Sequence, residues 1–171
     1  MQNQNQEKYL PIMLNITNRK ILVLGAGRAC REKLWSLGQT GASITVIAPE
    51  FHEDFFNQSW ITLIQRKYQK GDLNGYSIVY VGINQPDVEQ EILRDAQGLD
   101  LLLNFVDKRE FSDFISPSVI QKENFSIFIS TFGKAPGAAK HIRMEIEKKL
   151  DLVQLDNQTK DFIAARKTNK K

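Results

Sequence analysis

Ile21-Leu22-Val23-Leu24-Gly25-Ala26-Gly27-Arg28-Ala29-Cys30 is the stretch that decides the fold. Its four opening apolar residues are too few for a helix and rich in branched side chains, which suits a strand buried on both faces. The run stops at Gly25. Beyond it Ala29, Cys30, Lys33, Leu34 and Leu37 recur at three- and four-residue spacing. That predicts a helix over 28–39 with one apolar face, punctuated by Gly38 and Gly41. A strand, a glycine turn and a helix in this order can hold a dinucleotide. Gly25 permits the tight turn, and Gly27 lets the backbone approach a pyrophosphate. The helix start, with Arg28 and Ala29, offers unpaired N–H groups and the positive end of its dipole. The pattern is G-x-G-x-x-[G/A] with Cys30 in the last place, small enough for helix and strand still to approach. The same glycines would also serve as a plain turn in any doubly wound protein.

Reading outward, Ile44-Thr45-Val46-Ile47 is a second strand, stopped by Pro49. The acid that would hold a ribose is expected at this tip. Glu50 stands there, three residues past Ile47, and no Arg is present to receive a 2′-phosphate, which favours NAD over NADP. Glu50 could equally begin a surface loop. Further strands are expected at 61–64, 77–81 and 101–105, with Asp72 and Gly75 at a turn and a helix from Pro86 to about Gln97. Strands separated by helix-length segments imply βαβ units and a parallel sheet.

After Asp107 the pattern changes. Phe114-Ile115, Ser118–Ile120 and Ser126–Ser130 are closely spaced strand candidates, with Lys122-Glu123-Asn124 as a turn. Ala135-Pro136 opens a helix with Ala139, Ile142, Ile146 and Leu150 on one face. Leu152, Leu155, Phe162 and Ile163 suggest a short last helix that frays. The expectation is an α/β chain: a Rossmann-like parallel sheet that binds NAD over 1–112, a small α+β dimerisation region over 113–150, and a short helical or frayed C-terminal tail over 151–171. A hairpin as apolar as this one is hard to cover within so small a region, and its open edges invite pairing. Two-fold association into a homodimer would answer both.

Composition removes several classes. The chain has 171 residues, 42% hydrophobic and 25% charged, which is ordinary for a globular protein and excludes a collagen-like or wholly disordered one. No apolar run of membrane-spanning length occurs, and the polar start lacks a signal-peptide core, so neither a membrane span nor secretion is expected. With 23 basic and 20 acidic residues the net charge is +3, and the last 21 residues hold +2 of it. That leaves no basic stripe for nucleic acid. The single cysteine, Cys30, excludes an internal disulfide and a multi-cysteine zinc site and fits a reducing, cytoplasmic setting.

Taken in order, several segments resemble the precorrin-2 dehydrogenase/sirohydrochlorin ferrochelatase family, of the siroheme synthase N-terminal type. They are Tyr9-Leu10-Pro11, Ile21–Gly27, Gly41–Pro49, Asp72–Gly75, Asn104-Phe105-Val106-Asp107, Phe114–Ser118 and Ile129–Pro136. The resemblance spans about residues 9–150. It implies a Rossmann domain, a dimerisation region and a C-terminal helical module, the last largely absent from so short a chain. The implied activity is oxidation of precorrin-2 to sirohydrochlorin with NAD⁺, and in some members insertion of Fe²⁺. The implied site follows residue by residue. Asp107 falls on the acid/base aspartate, Arg28 and Ala29 on the cofactor turn, and Pro49 and Glu50 on the second cofactor segment. Asn104 falls in the same strand-end motif as Asp107, and Thr131 on a Ser/Thr position near the tetrapyrrole. This chain departs from the family at Cys30, at Gly82-Ile83-Asn84-Gln85 after the fourth strand, at Glu89 on the next helix, and at Phe132.

Read as chemistry, Asp107 lies just past the carboxyl end of the fifth strand, the edge at which open α/β sheets bind ligands. It can serve as the base for a departing proton; a turn or capping Asp is the plainer reading. His52 and His141 are far apart in sequence, with no Cys/His/Asp cluster around either, so no metal site is expected. His141, on the last long helix, is the better candidate for a tetrapyrrole contact. Cys30, at a helix start, could have a lowered pKa. Two readings stay open: an NAD-dependent precorrin-2 dehydrogenase with tetrapyrrole substrates, or a divergent relative that binds a tetrapyrrole or metal without turnover.

Overall fold

The computed structural model describes residues 9–38, 40–56 and 58–168. The expected end of the first helix at Gln39, the polar start and the last three residues of the tail lie outside the described residues.

The chain divides into two compact units, one ending at Phe114 and the other beginning at Ile115. The first is built on β1 (Lys20–Leu24), α1 (Arg28–Leu37), β2 (Ser43–Ala48), β3 (Ile61–Gln65), β4 (Ile78–Val81), α2 (Pro86–Ala96) and β5 (Leu102–Phe105). All pairings are parallel, in the order β3-β2-β1-β4-β5. The chain runs outward from β1 through β2 to β3, then returns to β1's other side for β4 and β5. The sheet's direction of winding therefore reverses between β1 and β4, and a crevice opens above their carboxyl ends.

Why β1 is central follows from its residues. Ile21, Leu22, Val23 and Leu24 are all 0% exposed. Alternation sends Ile21 and Val23 to one face, with Ile44, Val46, Ile78 and Tyr80, against Cys30, Leu34 and Leu37 of α1. Leu22 and Leu24 go to the other, with Ile47, Val79, Val81, Leu103 and Phe105, against Ile92 of α2.

No helix forms between β3 and β4. Arg66 instead donates twice to Asp72, at 2.6 and 2.7 Å, and Asp72 also accepts from the Gln69 N–H at 2.9 Å. These bonds hold the Asp72 carboxyl below its ordinary range. The Tyr68 hydroxyl and the Gly71 N–H both donate to Asp95, at 2.6 and 3.1 Å. The connection is thus a pinned loop, and its Leu73, 1% exposed, fills the place a helix would cover.

Phe114-Ile115, expected as strand, is irregular. The segment before it instead seals the open edge of β5 with side chains. Asp113 accepts from the Leu103 N–H at 2.8 Å, the Ser112 hydroxyl from the Phe105 N–H at 2.9 Å, and the Asn104 amide donates to the Phe114 carbonyl at 2.7 Å. Phe114 then meets Tyr80 edge to face, ring centroids 5.6 Å apart. These side-chain bonds, with one backbone bond from the Asp113 N–H to the Leu103 carbonyl at 2.9 Å, do the work of a sixth strand without its geometry.

The second unit has β6 (Ser118–Gln121) and β7 (Ser126–Ile129), an antiparallel pair with Ser118 opposite Ile129, followed by α3 (Pro136–Lys149) and α4 (Leu152–Thr168). The hairpin is as the sequence implied. Ile120 and Ala139 are buried, and α3 packs along both strands. The tail is longer and more regular than expected: α4 has 17 residues. Asp151 starts it by accepting from the N–H groups of Val153 and Gln154, at 3.2 and 2.9 Å, and Asp156 on its first turns accepts from the Asn124 N–H at 2.9 Å. No helix among the described residues is long and apolar enough to cross a membrane.

Candidate functional site

The turn after β1 is shaped by a close approach. Gly25 has φ +99°, and a Cβ there would stand 3.0 Å from the Gly82 carbonyl oxygen, so only glycine fits. Gly27 is the N-cap of α1, in extended conformation, and space for a Cβ is open: nothing lies within 4 Å. The first turn of α1 contains no acidic residue, and no side chain caps it. Arg28 projects from this turn, and its contact with Glu32 at 3.2 Å is exposed, so it can reorient at little cost.

Above the carboxyl ends of β1, β4 and β5 lies a cleft of about 300 Å³. Gly27, Arg28 and Ala29 line one wall. Gly82 and Asn84, just past β4, and Glu89, from α2, line another. Asp107 and Lys108, on the turn after β5, complete it. The structure thus brings the glycine turn and Asp107, 80 residues apart in sequence, into one crevice. Asp107 is exposed there. Burial pulls the pKa of Lys33, next along α1, below its ordinary value, while the charges of Glu32 and Asp107 hold it up.

Cys30 corrects one expectation. Burial pushes its thiol up to about 12, with the charge of Asp107 adding to the effect. The Sγ–H faces the Leu24 carbonyl at 3.7 Å. The helix dipole does not win, because the sulfur faces the sheet and not solvent; Cys30 is packing, not a nucleophile. It also explains a departure at Gly82. A Cβ at position 82 would lie 2.0 Å from the Cys30 sulfur. The larger residue at the third motif place and the missing side chain after β4 are one steric solution.

Pro49 and Glu50 are exposed at the tip of β2, next to the glycine turn, and line no part of the cleft. Asn104 is 5% exposed; its amide holds Phe114, and its Oδ1 has no hydrogen-bond partner among the described residues. Thr131 and His141 lie in the second unit. The Thr131 hydroxyl accepts from the Ala135 N–H at 3.1 Å ahead of α3, and His141 is exposed on that helix. His52, Glu53 and Asp54 cluster in solvent, with Asp54 already paired to Arg31 at 2.5 Å.

Glu89 and Lys108 were not selected from the sequence as site residues. Glu89 is 3% exposed and receives the Lys108 ammonium at 2.5 Å. The available signal was helical phase: Glu89 precedes the buried Ile92 by one turn, so a carboxylate sat on the inward stripe and required a cation.

A five-stranded parallel sheet, a glycine turn opening a helix, and a crevice at the winding reversal define a Rossmann-like dinucleotide-binding domain. Residues 12–118 match the family model described as "Putative NAD(P)-binding". The chain belongs to this NAD(P)-binding family. Among curated relatives it is 30% identical over 140 residues to a siroheme synthase of Psychrobacter sp., covering 80% of this chain and 29% of that one. It is also 30% identical over 145 residues to one of Nitrosococcus oceani, covering 82% and 31%. The chain therefore spans about three tenths of the length of these relatives. A solved structure described as SirC, precorrin-2 dehydrogenase, superposes with a TM-score of 0.73 at 22% identity, covering 89% of this chain and 74% of that one.

The residues fit a dinucleotide. The open space at Gly27 and the uncapped start of α1 are what a pyrophosphate needs. Gly27→Val would fill that space, and NAD⁺ affinity measured by calorimetry is expected to fall tenfold or more, about 1.4 kcal/mol. An unchanged affinity would place the pyrophosphate elsewhere.

Proposed function

We propose that this chain is an NAD⁺-dependent dehydrogenase that oxidises precorrin-2 to sirohydrochlorin in siroheme biosynthesis. The observation that carries the reading is the meeting of the open α1 start and Asp107 in one cleft. The names borne by the relatives and by the solved neighbour support the substrate. When bound, NAD⁺ supplies the hydride acceptor. The N–H groups at the start of α1 hold its diphosphate, with Arg28 adding charge, and Pro49 and Glu50 take the adenosine ribose. Loss of a hydride from the reduced macrocycle must be matched by loss of a proton, and the Asp107 carboxylate accepts it. Because Asp107 is exposed, it can pass that proton to water and return to its basic form. The family resemblance offers Asn104 of the first unit and, separately, Thr131 and His141 of the second as tetrapyrrole contacts. Insertion of Fe²⁺ into sirohydrochlorin is the companion activity, with Asp107 taking the pyrrole protons that the metal displaces. The setting is cytoplasmic.

Purified protein given precorrin-2 and NAD⁺ without oxygen is expected to develop the sirohydrochlorin spectrum and form NADH in equal amount. Binding of both ligands with no spectral change would overturn the dehydrogenase reading in favour of a non-catalytic tetrapyrrole binder.

The homodimer belongs to the same proposal. Within the second unit Phe128, Ile142, Met144 and Leu150 are each at least 43% exposed. A second copy, related by a two-fold axis through residues 113–150, would cover such an apolar surface. Light scattering at micromolar concentration should give a mass near twice 19.6 kDa. A mass near 19.6 kDa with full activity would count against the dimer.

A further inference from the structure

We propose that the Glu89–Lys108 ion pair is the positioning element of the site, holding the turn after β5 so that Asp107 stays over the cleft. The inference rests on the dehydrogenase reading for its kinetic consequence and on geometry for its structural one. Asp107 is on a two-residue turn, and the Lys108 carbonyl just after it accepts from the Ser112 hydroxyl at 3.0 Å and from the Phe111 N–H at 3.3 Å. The Val106 N–H donates to the Val81 carbonyl at 2.9 Å, and the Lys108 N–H to the Phe105 carbonyl at a longer 3.3 Å. The next residue after Asp107 carries the anchor. The Lys108 ammonium reaches across the cleft wall to Glu89 of α2 at 2.5 Å. The Glu89 side chain is 3% exposed and that of Lys108 31%, so the bond is shielded on the acid's side and screened little by salt.

A carboxylate so buried is costly without a cation, and Lys108 supplies it. The dependence is mutual. Glu89 cannot follow the turn, because it lies one helical turn before the fully buried Ile92. A movement of the turn beyond what the flexible Lys108 stem can follow would therefore break a shielded charge pair, which makes the bond an effective tether. It has a second consequence. A lysine adjacent to the acid, if untethered, would be free to pair with the Asp107 carboxylate and occupy the group that must accept a proton. Glu89 keeps the Lys108 ammonium engaged elsewhere. On α1, Arg28 pairs with Glu32 at 3.2 Å, and the charge of Asp107 reaches Lys33.

The test uses Glu89→Gln, which frees Lys108, and the double variant Glu89→Gln/Lys108→Met, which leaves no unpaired buried charge and so guards against misfolding. Each is compared with the parent in two ways. The first is hydrogen exchange at residues 106–108, with the β1 and β4 amides as internal controls. The second is steady-state oxidation of precorrin-2. Exchange at the turn should rise about tenfold or more in both variants with β1 and β4 unchanged. The turnover number should fall between about tenfold and a hundredfold, with the KM for NAD⁺ within about twofold, as expected when a catalytic group is misplaced and binding is retained. Glu89→Gln should be the slower of the two, because its Lys108 is free to engage Asp107. Unchanged exchange at the turn overturns the tether, whatever the kinetics. Raised exchange with undiminished turnover overturns its role in positioning Asp107. Raised exchange in a protein whose parent does not oxidise precorrin-2 supports the tether and removes the dehydrogenase reading instead.

Discussion

Asp107→Asn is expected to lower precorrin-2 turnover by about 10²-fold or more, close to 3 kcal/mol of lost transition-state stabilisation. Asparagine keeps the shape and the polarity of the side chain and loses only its ability to accept the proton. Position 107 is exposed at a turn, so the substitution creates no cavity, and Lys33, which loses the charge of Asp107, keeps that of Glu32. Thermal stability should change by less than about 0.5 kcal/mol, the usual range for surface sites. NAD⁺ affinity should also hold, because the proposed diphosphate site is the opposite wall, at Gly27–Ala29. The measurement is a rate assay with calorimetry on the same preparation. A variant that turns over like the parent would make Asp107 a turn residue.

The second large effect is steric. Gly82→Ala should destabilise the first unit by about 1–3 kcal/mol or more, the range for forcing extra volume against a packed side chain. The new Cβ would fall 2.0 Å from the Cys30 sulfur, with the Leu24 carbonyl at 3.7 Å on another side. The backbone at 82 does not require glycine; only the neighbour forbids a side chain. Cys30→Ala in the same chain should therefore restore most of the loss, although alone it costs about 1 kcal/mol for the deleted sulfur. A coupling this large between two residues is measured by urea denaturation of the four members of the cycle. Additive losses would mean that the backbone, not Cys30, sets the requirement at 82.

Much of the first unit was legible because a parallel sheet writes its strands as short apolar runs. The strand assignments at 21–24, 44–47 and 61–64 match β1, β2 and β3 to within a residue or two at either end. The glycine turn was legible for a related reason. Both glycines have jobs that no other residue does as well: a positive φ against the Gly82 carbonyl at Gly25, and open space at Gly27. Phe114-Ile115 misled, because an apolar pair signals burial without saying what takes the backbone hydrogen bonds. Here the side chains of Asn104, Ser112 and Asp113 take most of them, and the Asp113 N–H takes the Leu103 carbonyl. The tail misled in the opposite direction. Its inward residues are few, and α4 begins where it does because Asp151 caps it.

The sequence by itself determined the parallel sheet, the glycine turn and the candidacy of Asp107, since each depends on local pattern or on chain order. Which residues share the cleft was decided by the tertiary structure alone. The reversal of winding between β1 and β4 sets the turn after β5 close to the start of α1, whereas Pro49 and Glu50, one strand the other way, stay outside the lining. The fate of Cys30 was decided in the same way. Its place at a helix start suggests a reactive thiol, but burial against the sheet and the charge of Asp107 raise it to about 12. The pairing of Glu89 with Lys108 was likewise invisible along the chain, because a buried charge finds its partner through space, here 19 residues away.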